Sequence, residues 1–100
     1  MTLDSIKSDF AVLDEWEDRY RYVIELGRDL PDLPPDLRTE ATKVRGCASQ
    51  VWLVTKPIAA GGGGLNKLAM QGASDAVIVQ GLIAVLFAIY EGKTADEILS

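Results

Sequence analysis

The sequence predicts an α+β chain, with helical patterns on either side of one stretch of strand character that turns back through glycine. Three observations carry this. Residues 14–30 repeat apolar side chains at helical spacing on an otherwise charged segment. Residues 50–56, Gln-Val-Trp-Leu-Val-Thr-Lys, are rich in β-branched and aromatic types and are soon followed by four consecutive glycines. Residues 76–90 are apolar nearly all the way round, the mark of a helix at the centre of a core.

Each element has its own justification. In residues 3–10, Leu3, Ile6 and Phe10 fall on one side, which suits a short helix or an N-terminal arm. Asp14 is the expected N-cap of the next helix, and Glu15, Glu17 and Asp18 place negative charge in its first turn, where the helix dipole favours it. Trp16, Tyr20, Val23, Ile24 and Gly27 then form one stripe, with Trp16 and Tyr20 expected to pack in the core. Pro31 stops this helix, and residues 31–35 make a stiff connector. In the strand of residues 50–58, Val51 and Leu53 face one way and Trp52 and Val54 the other, so both faces need cover. Gly61 to Gly64 is a flexible link, and residues 65–71 are the returning strand. The tetraglycine is not a phosphate loop: it lacks the Lys-Ser or Lys-Thr ending and does not open into a helix. Ser74 or Asp75 caps the apolar helix, and Gly92 ends it. Thr94-Ala95-Asp96-Glu97 has the form of a capping box that starts another helix. Ser100 falls barely six residues into that helix, which is marginal unless it docks or continues, so the chain reads as cut short.

Composition narrows the function. One hundred residues, 48 % hydrophobic and 25 % charged, fit one small globular domain. A net charge of -5 speaks against a nucleic-acid binder. One cysteine excludes an internal disulfide; with no histidine, it also speaks against a zinc or iron–sulfur site held by this chain alone. Residues 1–10 carry Asp4 and Asp9 and no apolar run of the signal-peptide kind. The longest apolar run, fifteen residues broken by Gln80 and Gly81, is shorter than the roughly twenty a membrane span needs. A cytoplasmic location is the expectation.

Charge is unevenly placed. Residues 1–40 hold eleven acids and five bases, whereas residues 41–60 hold Lys43, Arg45 and Lys56 and no acid. Cys47, the only cysteine, sits in that basic segment. Free cysteine is most often a small buried hydrophobe. Here its neighbours Gly46, Ala48, Ser49 and Gln50 are small or polar and suggest a loop. If residues 43–47 were extended, Lys43, Arg45 and Cys47 would point the same way, and nearby cations favour the thiolate. A thiolate without a histidine is poorly equipped for hydrolysis. It suits attack on an activated sulfur, which needs only nucleophile, leaving group and access. Taking the terminal sulfur of a persulfide from another protein meets those terms.

Three stretches carry a family resemblance. Leu13-Asp14-Glu15-Trp16-Glu17-Asp18-Arg19-Tyr20, continuing through Ile24-Glu25-Leu26-Gly27, resembles the opening helix of the SufE family. Val44-Arg45-Gly46-Cys47-Ala48-Ser49-Gln50-Val51-Trp52-Leu53 is similar to its acceptor-cysteine loop and the strand that follows. Ser74-Asp75-Ala76, then Val79-Gln80-Gly81-Leu82-Ile83-Ala84 and Tyr90-Glu91-Gly92-Lys93-Thr94, resemble its central helix and exit. The resemblance implies an α+β fold with a small antiparallel sheet packed against helices, related to IscU-type scaffolds. It implies that residues 1–100 form one domain of this kind without the family's C-terminal helices. It further implies a sulfur acceptor in iron–sulfur cluster assembly by the SUF system. Cys47 would take persulfide sulfur from a SufS-type cysteine desulfurase, stimulate that enzyme and pass the sulfur to an iron–sulfur scaffold protein. Gly46, Ala48, Ser49 and Gln50 would shape the loop, Arg45 would assist the thiolate, and Asp75 would serve as a helix cap or a loop or partner contact. No cofactor is expected of the chain itself, pyridoxal phosphate belonging to the desulfurase, and the chain would act as a carrier and activator rather than a stand-alone enzyme. Two features depart from the pattern: the glycine-rich hairpin is long, and Ala73 stands where the family often has an aspartate. The alternative is a non-catalytic module that docks on a desulfurase or related enzyme and regulates it.

Overall fold

The computed structural model describes residues 2–59 and 66–99. The first expectation left open, helix or arm, resolves as a helix, α1 (Leu3–Val12). Its start is a capping box: the Thr2 hydroxyl accepts the Ser5 N–H at 3.1 Å, and the Ser5 hydroxyl accepts the Thr2 N–H at 3.1 Å. The chain then reverses into α2 (Trp16–Arg28). Arg19 bridges the reversal, donating from Nε to the Leu13 carbonyl at 2.7 Å and from Nη2 to the Phe10 carbonyl at 3.3 Å. The Leu13 carbonyl at the end of α1 gains a partner in this way, and the Phe10 carbonyl, which already accepts the Leu13 N–H at 3.2 Å, gains a second. Phe10 and Tyr22 meet edge to face at 5.3 Å, and the Tyr22 hydroxyl donates to Asp9 Oδ2 at 2.5 Å.

Two expectations about α2 are corrected. Its N-cap is Glu15, without a side-chain cap bond, so Asp14 does not cap it. Trp16 and Tyr20 are 77 % and 47 % exposed rather than packed in the core. The reason is length: neighbours meet α2 at Tyr22, Val23, Leu26 and Gly27, and the stripe runs past them into solvent at its N-terminal end. The C-terminal half of the stripe packs as expected. Ile6, Leu26 and Ala84 form a buried cluster, with Phe10, Leu30, Val85 and Ala88 against it. Helix α2 ends three residues before Pro31, and the connector holds a 3-10 turn at Pro35–Leu37 and buries Leu33 to 2 % exposure.

Strands β1 (Val51–Ala59) and β2 (Asn66–Ser74) pair antiparallel from Val51↔Ser74 to Ala59↔Asn66 without a bulge. The returning strand therefore runs to Ser74 rather than stopping at residue 71, because the ladder continues for as long as β1 offers partners. Leu65 and Gly61 to Gly64 lie outside the described residues. Helix α3 (Val77–Tyr90) packs on α2 and on β2. Against the sheet, the ring of Phe87 fills space over Gly72, where a Cβ would lie 3.0 Å from its edge. Against α2 the backbones nearly touch at Gly27 and Gly81: a Cβ on Gly27 would sit 2.6 Å from the Gly81 nitrogen, and one on Gly81 would run into the Val23 carbonyl.

Helix α3 is not covered all round. Gly81, Ile83 and Ala84 are buried, but Val77, Leu82 and Leu86 are exposed, because α2 and the sheet occupy only part of its circumference. Its N-cap is Ala76, with no side-chain cap bond, so neither Ser74 nor Asp75 holds that position. Gly92 does adopt the left-handed backbone of a terminating glycine, at φ +74°. The expected capping box is present: the Glu97 N–H donates to the Thr94 hydroxyl at 3.2 Å, the Thr94 N–H to Glu97 Oε1 at 3.1 Å, and α4 (Ala95–Leu99) follows. Among the described residues no helix is long and apolar enough to cross a membrane.

Candidate functional site

Residues 42–44 run antiparallel beside the start of β1. The Leu53 N–H donates to the Thr42 carbonyl at 2.9 Å, the Val44 N–H to the Val51 carbonyl at 2.8 Å, and Lys43 bridges to Trp52. The entry is further secured by the Thr42 hydroxyl, which donates to the Leu37 carbonyl at 2.7 Å. Trp52 is covered on one face by the Arg38 guanidinium, 5.3 Å from the ring centroid, itself held by a 3.1 Å bond from Nε to the Leu33 carbonyl. Residues 45–50 are therefore a loop between two backbone anchors.

Cys47 is a free, exposed thiol on that loop, as its small and polar neighbours suggested. The extended run from Lys43 to Cys47 is not found. Arg45 and Gly46 form a turn, with Gly46 at φ +85°, and this breaks the alternation that would have put Lys43, Arg45 and Cys47 on one side. Open space surrounds the position of a Cβ on Gly46, so glycine is needed there for its backbone conformation and not for room. Arg45, Ala48 and Gln50 are exposed and Ser49 is half-buried.

The loop's exit is clamped to the end of β2. Gln50 is held through both backbone groups: its N–H donates to Asp75 Oδ1 at 2.9 Å, while its carbonyl accepts the Ser74 hydroxyl at 2.8 Å and the Asp75 N–H at 3.2 Å. Asp75 is thus a loop contact, its carboxylate turned to Gln50 instead of to the helix. The Ser74 hydroxyl also accepts the Ala76 N–H at 3.2 Å. The structure brings Cys47, Gln50 and Asp75 into one substructure although 28 residues of sequence separate the first from the last.

Sequence reasoning missed two partners of this loop, Thr42 at the entry and Ser74 at the exit in a role other than cap. Both are short hydroxyl side chains beside a turn, where bonding to nearby backbone is their ordinary behaviour. Among the described residues no group of three or more cysteine, aspartate or glutamate side chains is gathered so as to hold a metal ion.

Comparison with known proteins agrees with this architecture. The family model SufE, described as an Fe-S metabolism associated domain, matches residues 4–100. An uncharacterized SufE-like protein of Rhizobium meliloti is 59 % identical over 97 residues, which cover 97 % of this chain and 68 % of that protein. A second, from Rhizobium etli, is 55 % identical over 97 residues, 97 % of this chain and 64 % of that protein. The sulfur acceptor protein CsdE of Escherichia coli is 42 % identical over 98 residues, 98 % of this chain and 63 % of its own length. The chain spans about two-thirds of these relatives, with Cys47 and both anchors of its loop inside the matched span. It belongs to the SufE family.

Proposed function

We propose that this protein is a sulfur acceptor and carrier for iron–sulfur cluster assembly, with Cys47 as the accepting atom's residue. The observation that carries the reading is an exposed thiol on a loop fixed at both ends, in a chain whose sequence has no histidine to support hydrolytic chemistry. The Cys47 thiolate attacks the terminal sulfur of a donor persulfide. A new S–S bond forms at Cys47, the donor's S–S bond breaks, and the donor leaves as a thiolate. Nothing is oxidised or reduced overall, and no general base is needed beyond ionisation of the thiol. The donor is a cysteine desulfurase of the SufS type, which the protein stimulates by emptying its persulfide, and the recipient is an iron–sulfur scaffold. The name of the Escherichia coli relative, a sulfur acceptor, supports this reading.

In this account the chain uses no cofactor of its own, works in the cytoplasm, and folds over residues 1–100 as one domain. Gly46, Ala48, Ser49 and Gln50 shape the loop, and Arg45 places a positive charge in the turn that leads to the thiol. Docking without sulfur transfer is the competing function, and one substitution separates them. Cys47→Ala should still bind the desulfurase but no longer stimulate it. Full stimulation by Cys47→Ala would make the protein a regulatory module and remove the carrier role.

A further inference from the structure

The apolar helix α3 carries one polar side chain in its first turn, Gln80, half-buried where α2, β2 and α3 converge. Its Oε1 accepts the Ser74 N–H at 2.7 Å, and its Nε2 donates to the Gly27 carbonyl of α2 at 3.4 Å. Ser74 needs that acceptor. In the β1–β2 register the Gln50 carbonyl takes the Asp75 N–H, so the Ser74 N–H points to the other edge of β2, where another partner must satisfy it. The next link is the Ser74 hydroxyl, whose bond to the Gln50 carbonyl fixes the loop exit three residues after Cys47. One chain of hydrogen bonds thus runs from the Gly27 carbonyl through Gln80 and Ser74 to Gln50. The Gly27–Gly81 approach makes its first member rigid, because a helix pair in backbone contact has no room to slide.

We propose that Gln80 is a positioning residue for the Cys47 loop: it transmits the α2–α3 frame to the end of β2 and so sets where the thiol is presented to a protein donor. This rests on the reading of Cys47 as sulfur acceptor. Gln80 touches neither donor nor thiol. Its effect is therefore on transfer from a docked protein, which needs a defined thiol position, and not on reaction with a small reagent, which meets an exposed thiol from any direction.

The test compares Gln80→Met, which removes both bonds, with Gln80→Glu, which keeps the acceptor for the Ser74 N–H but loses the donor to the Gly27 carbonyl. In Gln80→Met, exchange of the Gln50 and Asp75 amides should rise about fivefold, the scale of one lost hydrogen bond. The initial rate of sulfur transfer from a cysteine desulfurase to Cys47 should fall by a similar factor, and alkylation by iodoacetamide should keep its wild-type rate and pH profile. Gln80→Glu, which keeps one of the two bonds, should fall between Gln80→Met and wild type in both exchange and transfer. If Gln80→Met does not fold, Gln80→Asn, one methylene short of both partners, must show the same pattern. Wild-type transfer in the folded variant lacking the acceptor, or failure of Gln80→Glu to differ from it, overturns the positioning role. No transfer to the wild-type protein at all overturns instead the acceptor reading on which this rests.

Discussion

Gly46 and Gly81 are both indispensable glycines, for opposite reasons. Gly46 is in open space but holds a left-handed backbone conformation, which costs an L-residue about 1–2 kcal/mol. Gly46→Ala should therefore lower stability by about that amount or shift the Arg45–Gly46 turn. Unchanged melting together with unchanged backbone chemical shifts at residues 45–47 would contradict this. Gly81 has an ordinary helical backbone but no space, since its Cβ would collide with the Val23 carbonyl. Gly81→Ala should cost about 1–3 kcal/mol in denaturant unfolding by forcing α2 and α3 apart. A midpoint at the wild-type value would show that the helices separate freely. The sequence displays these glycines alike. Gly46 is legible beside a cysteine in a polar run, and Gly81 reads as an interruption of an apolar helix until a partner backbone is seen across from it. Asp75 shows the same limit: next to a helix start it reads as a cap, and only the β1–β2 register reveals Gln50 as its partner.

At the scale of elements, local signals were dependable where the partners lie within a few residues. The Thr94–Glu97 box, the Gly92 terminus and the strand character of β1 are all as the sequence indicates. The stripe on α2 is accurate in period but not in extent, because periodicity says which face is apolar and not how far a neighbour reaches. Two elements have a readable response to pH. Tyr22, which joins α2 to α1, is pushed up to about 12 by burial first and then by its bond to Asp9 and that carboxylate's charge. Its folded pKa is above the unfolded value, so its contribution is complete below pH 10 and is lost as pH rises towards 12. Tyr22→Phe should flatten the alkaline limb of the stability curve, and an unaltered limb would assign it to other groups. Glu97 is held below the usual carboxylate range by the Thr94 backbone N–H first, then by the Thr94 side chain. Its contribution is present above the unfolded pKa and is lost as pH falls through the lower, folded one. Acidification should thus loosen α4 in wild type, and Glu97→Gln, which removes the titrating group, should abolish that dependence. Acid loosening that persists in Glu97→Gln would break the link.

Over the whole molecule, α3 and α4 pack against β2 of a small sheet, and the Cys47 loop leads into β1. The loop is exposed and its ends are fixed, and both properties follow from position: residues 42–44 and Ser74–Asp75 flank the start of β1. The α+β character was legible because α2, β1 and α3 each have a distinct period or composition. The presentation of Cys47 was not, since the exit of its loop is fixed by contacts between residues 24 and 25 apart in sequence. Exposed Trp16, Leu82 and Leu86 lie on helices that the described chain covers only in part.

The most direct test of the account is peptide-mapped mass spectrometry of the protein after incubation with an active cysteine desulfurase and cysteine. The peptide containing Cys47 should gain about 32 Da, the mass of one sulfur atom, lose it on reduction, and show no gain in Cys47→Ser. A desulfurase that turns over and docks while that peptide keeps its original mass would contradict the account.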